Sequence, residues 1–378
     1  MIHYLDNSAT TPLCQEAISR MTDYMKNDFG NPSSLHMLGI EAQIKLEKCR
    51  EIVADKLACD KRELYFTSCG SESNNTAIFG AVRAKRRDGK RIVTTAIEHH
   101  SVLNCMKQLE EDGYEVIYLM PDSDGHISEE KIASAVTSDT ILVSMMAVNN
   151  ETGSKMPINS VYRAVRAANS NALIHIDAVQ AFCKIDVSPD KIHADLMTIS
   201  AHKIHGPKGI GAIYIRKGVR ILPHIVGGGQ ERGIRSGTES TILAEGFAAA
   251  VLAMPDYKHS LSYVEALNSN LRKQLADIDD ITINSPHDAL PYVLNFSCDG
   301  IRSETMLHHL ERSGVYISSG SACAKGEKSH VLKAQGLSDS LLDSAIRVSF
   351  SRFNADEDVE ALVCGIKDGL NKLTRSKR

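Results

Sequence analysis

The chain has 378 residues, 43% hydrophobic and 24% charged, with 43 basic against 47 acidic side chains and a formal charge of −4. That balance argues against nucleic acid or an anionic membrane as a direct partner. The length exceeds what one small core fills and predicts one large and one small domain, or two of similar size.

The opening "MIHYLDNSAT" has no basic segment followed by an apolar run, and no apolar stretch reaches about eighteen residues, so neither a signal peptide nor a membrane span is expected. The expected location is cytoplasmic. Cysteines stand at positions 14, 49, 59, 69, 105, 183, 298, 323 and 364, an odd number with no CxxC pair, which fits reduced thiols better than disulfides or a metal site. The basic tail "KLTRSKR" at the end reads as a solvated terminus.

From Glu63 to Arg216, β-rich runs alternate with helical patterns: "ELYFTS", "RIVTTA", "YEVIYL", "TILVSMM", "ALIHID", "DLMTIS" and "GAIYIR". Such alternation predicts a mostly parallel sheet with crossover helices on both faces. The apolar helix "ILAEGFAAAVLAM" runs into Pro255, which cannot continue it, and a long helix "SLSYVEALNSNLRKQLADI" follows. A domain boundary is expected near Pro255, with a shorter set of strands and helices from Thr282 onward.

Ligands of parallel sheets bind beyond the carboxyl ends of the strands. Those ends read "TSCGSES", "IEHHS", "VNNETG", "IDAVQ" and "ISAHK". Taken singly, Gly70 and Ser71 could merely start a helix, His99 and Asn150 could be loop residues, and Asp177 could be an N-cap. As a set they bring a helix N-terminus with hydroxyls, an imidazole, an amide, a carboxylate and a lysine to one side of one sheet. Pyridoxal phosphate needs such groups: backbone N–H groups for the phosphate, a carboxylate for the pyridine nitrogen and a lysine for the aldehyde. No G-x-G-x-x-G or G-x-x-x-x-G-K-[ST] loop follows a strand, which argues against a dinucleotide or P-loop site.

The series "YLDNSATTP", "NPSSLH", "TSCGSES", "EHHSV", "VNNETG", "IDAVQ", "SAHKIHGPKGIGA", "GGGQERGIRSGTE" and "SSGSACA" runs collinearly over essentially the whole chain. It resembles the cysteine desulfurases, in the class V aminotransferase branch of pyridoxal phosphate enzymes. The resemblance implies an α/β fold of the aspartate aminotransferase type, fold type I, with a large mostly parallel-sheet domain and a smaller α+β domain. Residues 1–14 would be an N-terminal segment packing with the small domain, 15–255 the large domain and 256–378 the small domain carrying a mobile cysteine loop.

Carried over by the resemblance, Lys203 is the Schiff-base lysine, whereas Lys208 in "GPKG" is an ordinary loop residue. Asp177 pairs with the pyridinium nitrogen, Gln180 and Asn150 bond the phenolic oxygen, and His99 stacks on the ring and serves in proton transfer. Gly70, Ser71, Ser200 and His202 hold the phosphate, joined by Thr238 from a second subunit, so a homodimer is implied. The chain departs from the common phosphate loop, a glycine and then a threonine, at Cys69 and Ser71, and it lacks a proline often found after the second-domain cysteine.

In "SAIRVSFSRF", alternation puts Ile346, Val348 and Phe350 on one face and Arg347, Ser349 and Ser351 on the other. Pattern alone leaves Arg347 between a structural ion pair and a clamp for a substrate carboxylate. The resemblance favours the clamp, with Arg352 as the second choice, and a part for Asn150 in substrate binding. Cys323 lies among small residues between Gly320 and Gly326, a setting for an exposed, hinged thiol, while Cys183 in "QAFCKI" reads as packed. The implied reaction takes L-cysteine to L-alanine with the sulfur held as a persulfide on Cys323. An iron–sulfur scaffold, a tRNA thiolation enzyme or a thiamine-pathway carrier would then accept it. A selenocysteine lyase or a small-amino-acid aminotransferase is the alternative within the fold.

Overall fold

Each of the seven β-rich runs forms a strand. The computed structural model describes residues 2–319 and 328–375, so Gly320, Cys323 and Gly326 lie outside the described residues. After the two-residue β1 (His3–Tyr4) come β2 (Leu64–Thr67), β3 (Arg91–Thr95), β4 (Glu115–Leu119), β5 (Thr140–Met146), β6 (Leu173–Asp177), β7 (Leu196–Ser200) and β8 (Gly211–Ile215). The last seven make one sheet in the order β2-β8-β7-β6-β5-β3-β4. Its pairings are parallel except at β8, which runs antiparallel to both β2 and β7.

Helices cover both faces, and the strands show it. Every residue of β5, β6 and β7 is buried, as a doubly covered sheet demands. Successive residues serve opposite layers: Ile92 and Leu142 pack with Ile78, Val82 and Met106 on one side. Their neighbours Val93 and Val143 join Val53, Phe182 and Phe247 on the other.

A second, antiparallel sheet follows, made of β9 (Ile281–Ile283), β10 (Val293–Cys298), β12 (Ser318–Ser319) and β13 (Ala345–Ser349) in the order β12-β13-β10-β9. Between them β11 (Val315–Tyr316) pairs in parallel with β1, and Asp6 bridges to Ser349. The segment after β1 then crosses to the large sheet, where the Thr11 and Cys14 amides donate to the carbonyls of His202 and His205. The helix Thr241–Leu252 stops short of Pro255, and the next, Tyr257–Ala276, starts where the Asp256 carboxylate accepts the Lys258 N–H at 2.9 Å. Among the described residues no helix is long and apolar enough to cross a membrane.

Candidate active site

A cleft of about 390 Å³ opens at the carboxyl ends of the parallel strands. Gly70, Ser71, His99, Asn150, Asp177, Gln180, Ser200, His202, Lys203 and Arg347 all line it, as does Cys69. Thr238 does not; it is exposed and borders a separate small pocket with Thr67, Ser68 and Arg235. Cys323 falls outside the described residues.

A helix N-terminus opens into the cleft. The helix Gly70–Lys85 begins there, and its N-cap Cys69 supplies no side-chain cap, so the first backbone N–H groups face the cleft uncapped. Gly70 sits in close packing: a Cβ there would stand 3.0 Å from Val179 Cγ2, a tight contact, and 3.6 Å from Ser200 Cβ. The hydroxyls of Thr67 and Ser73 lie 2.7 Å apart, one donating to the other, and the remaining proton goes to the Cys69 carbonyl, 3.2 Å from both, fixing the turn. Ser200 Oγ is buried with no partner. A buried hydroxyl with nothing to bond marks a place for a ligand atom. His202 Nδ1 sits 3.2 Å from Thr10 Oγ1, and burial, aided by the charges of Lys203, Lys208 and Lys184, pushes its imidazole down to about 3.

Further titratable groups line the same cleft. Asp177, the last residue of β6, is buried; its Oδ2 accepts from Asn74 Nδ2 at 2.8 Å and its Oδ1 from the Val179 N–H at 3.0 Å. Lys203 Nζ donates to the carbonyls of Ser8 and Ala9 at 2.5 and 2.8 Å, so the N-terminal segment forms one wall. Gln180 Nε2 donates to the same Ser8 carbonyl at 3.1 Å, and its Oε1 accepts from the buried Lys184 at 3.3 Å. His99 caps the helix His100–Glu111 with Nδ1, and burial lowers its pKa against the opposing pull of Asp177.

Arg347 is 3% exposed and serves two partners: Nη2 donates to Asp6 Oδ1 at 2.8 Å and Nη1 to the Asn150 carbonyl at 3.1 Å. Its Nε is buried without a partner. The ion-pair reading of Arg347 has its counterpart in Asp6, and the residue also lines the cleft. Arg352 is not among the lining residues; it donates to the Ala253 carbonyl and lies over the Phe353 ring. Lys208 is exposed and outside the cleft, and Cys183 is buried, its thiol pushed up to about 12.

Several lining residues escaped the sequence reading: Ser8, Ala9, Asn74, Ser101, Met146, Val148 and Val179. Asn74 stands one helical turn beyond Gly70, so helical spacing from the start of that helix would have pointed to it. Two buried carboxyls also went unnoticed. Glu98 Oε1 accepts from Thr95 Oγ1 and the Met146 N–H while Oε2 has no partner, and burial raises the group to about 8. Glu151 bonds the Ser329 hydroxyl, and burial raises it to about 7.

The large mostly parallel sheet, the smaller antiparallel one and the cleft with its lysine and carboxylate define a fold type I architecture of the pyridoxal phosphate enzymes. The profile of the family "Aminotransferase class-V" matches residues 3–362. A protein named cysteine desulfurase 2 from Trichormus variabilis is 41% identical over 95% of this chain and 91% of its own. A cysteine desulfurase IscS from Clostridium botulinum is 38% identical over 99% of this chain and 95% of its own. Among solved structures, a NifS-like protein superposes with a TM-score of 0.93 at 39% identity, covering 99% of this chain and 100% of that one. SspA, solved in complex with cysteine, superposes with a TM-score of 0.82 at 33% identity, covering 93% and 99%. The chain belongs to the class V aminotransferases and, within them, to the cysteine desulfurases, a family that works with pyridoxal phosphate.

Proposed function

We propose that this cleft binds pyridoxal phosphate and L-cysteine and converts the latter to L-alanine, with the sulfur passing to Cys323 and then to an acceptor protein. The observation that carries the reading is the meeting in one cleft of an uncapped helix N-terminus, the partnerless Ser200 hydroxyl, Asp177, His99 and Lys203. The cofactor, when bound, supplies an electron sink conjugated with the substrate α-carbon. Gly70, Ser71, Ser200 and His202 would hold its phosphate and Asn150 and Gln180 its phenolic oxygen. Asp177 would keep a proton on the ring nitrogen through an ionised carboxylate that Asn74 and Val179 already orient.

Lys203 Nζ would hold the aldehyde carbon at rest and, once freed, take the proton from the substrate Cα. Its bonds to the Ser8 and Ala9 carbonyls keep the amine at the cleft wall. Arg347 would grip the substrate carboxylate, with Asn150 beside it; the Cys323 thiolate would attack the substrate sulfur, the new S–S bond forming as the Cβ–S bond breaks, its electron pair staying with the carbon skeleton, which is then protonated to alanine. Thr238, exposed on its own chain, would complete the phosphate site of a second copy. Exposed apolar side chains between residues 13 and 44, among them Phe29, Leu35, Met37 and Ile44, offer surface for such a homodimer. The same reading calls for a sulfur-accepting partner, an iron–sulfur scaffold or a tRNA thiolation enzyme, and a cytoplasmic location.

The test is to load the purified protein with pyridoxal phosphate, add L-cysteine and measure alanine and sulfide. Lys203→Ala is expected to lower turnover at least about a hundredfold, while Lys208→Ala behaves as wild type. Substantial turnover by Lys203→Ala would show that the amine acts elsewhere.

A further inference from the structure

The imidazole of His99 is held by a chain of hydrogen bonds in which the position of every proton follows. The Ser101 backbone N–H points at His99 Nδ1 over 3.1 Å. A backbone amide can only donate, so Nδ1 is an acceptor and carries no proton. Ser101 Oγ lies 2.8 Å from the same nitrogen and must therefore donate to it as well. The Ser101 oxygen in turn accepts from Asn74 Nδ2 at 2.8 Å, and the second proton of that amide goes to Asp177 Oδ2, also at 2.8 Å. The carboxylate ends the chain as a pure acceptor. It also decides which way the Asn74 amide points, since only the NH₂ group satisfies both neighbours.

We propose that Asn74 and Ser101 are positioning residues that lock His99 as the neutral Nε2–H tautomer and tie its ring to the Asp177 carboxylate. His99 then meets a ligand in the cleft as a hydrogen-bond donor through Nε2, not as a ready proton acceptor. To accept a proton at Nε2 the ring would have to carry one at Nδ1, where it would face the Ser101 N–H and the Ser101 hydroxyl at once. Asn74 is 1% exposed and Asp177 is 6% exposed, so water does not offer easy substitutes for these bonds. The direction of the chain also makes the two halves of the site depend on each other: rotating Ser101 releases the imidazole and leaves one Asn74 proton unbonded. This assignment rests on the cleft being the desulfurase site proposed above, but the tautomer is a property of the folded chain and is measured without turnover.

The measurement is a long-range ¹H–¹⁵N spectrum of protein labelled at histidine nitrogens and loaded with pyridoxal phosphate, with His99→Gln identifying the signal. At neutral pH the expected pattern is a protonated Nε2 and a bare Nδ1. A protonated Nδ1, or an imidazolium, overturns the proposal. Ser101→Ala removes the hydroxyl while keeping the backbone N–H, and should lower kcat about fivefold to tenfold with little change in KM, because one well-placed hydrogen bond to the ring is lost. Ser101→Thr, which restores a hydroxyl, should recover most of that loss. Equal kcat in wild type and Ser101→Ala, or failure of Ser101→Thr to recover it, counts against the relay. Asn74→Ala should mimic Ser101→Ala; should it fail to fold, the two Ser101 variants and the spectrum still decide. Absence of any L-cysteine turnover in wild type would remove the proposed reaction and leave the tautomer result standing.

Discussion

Arg347 and Asp6 form a 2.8 Å ion pair that joins strand β13 to the segment leaving β1, and the arginine still keeps a buried Nε with no partner. Two of the five guanidinium N–H groups serve Asp6 and the Asn150 carbonyl, so donors remain for a ligand carboxylate. The ion pair positions the fork, and the fork can then act.

This arrangement separates size of charge from shape. Arg347→Lys keeps the charge and loses the planar fork, so KM for L-cysteine should rise about tenfold or more. Asp6→Asn keeps a hydrogen-bond acceptor and should raise KM less, by about threefold. Steady-state kinetics with L-cysteine makes the check. An unchanged KM in Arg347→Lys would leave Arg347 as a structural partner of Asp6 alone.

The burial of Glu98 and Glu151 predicts a pH dependence of the fold. Burial raises them from the ordinary 4.5 to about 8 and about 7, only partly opposed by the Met146 N–H and Thr95 hydroxyl at Glu98 and by Ser329 and Arg347 at Glu151. Between the unfolded and folded values the folded chain holds the extra protons, so stability falls as pH rises from about 4.5 through about 8 and is fullest below that window. Glu151→Gln keeps a partner for Ser329 and removes the ionisation. It should flatten the decline and stabilise the protein near pH 8, on the order of 2–3 kcal/mol. Thermal unfolding followed across that range decides it; parallel curves for the two proteins would contradict the shifted carboxyl.

The strands and the polar residues after them could be read from the sequence because each depends on its neighbours in the chain: alternation or apolar runs for "RIVTTA" and "TILVSMM", and a polar break at each carboxyl end. The reversed direction of β8 could not, since "GAIYIR" reads the same to a parallel or an antiparallel neighbour. The partners of Asp177 and Lys203 were also hidden. Asn74 meets Asp177 across 103 positions and Ser8 meets Lys203 across 195, and no local pattern records such meetings. Glu98 and Glu151 sit in quoted motifs, yet their shifted protonation comes from burial that only the packed sheet creates. Arg347 was legible as the polar face of a strand, but its pairing with Asp6 required the N-terminal segment to be in place.

The sulfur acceptor on the enzyme is the remaining chemical assignment, and the described residues on either side of Cys323 narrow it. On one side β12 pairs Ser318 with Arg347. On the other, Ser329 bonds Glu151, the neighbour of cleft-lining Asn150. Both flanks of the Cys323 segment are thus attached beside the substrate end of the cleft. Six of the eight other thiols are poor candidates: burial pushes Cys59, Cys105, Cys183 and Cys298 up to about 12 and raises Cys14 and Cys49 as well, so little of their thiolate exists at neutral pH. Cys69 lines the cleft and is the competitor to exclude. After reaction with L-cysteine in the absence of reductant, mass spectrometry should find one added sulfur atom on the peptide containing Cys323. Cys323→Ser should lose alanine and sulfide formation by about two orders of magnitude or more, because a hydroxyl cannot capture the sulfur as a persulfide. The absorption of its loaded form should still change when L-cysteine is added, since in the proposed reaction binding and Cα deprotonation use Lys203 and Asp177 and not the thiol. Sulfur found on Cys69, or alanine formed at the wild-type rate by Cys323→Ser, would move the transfer to another residue.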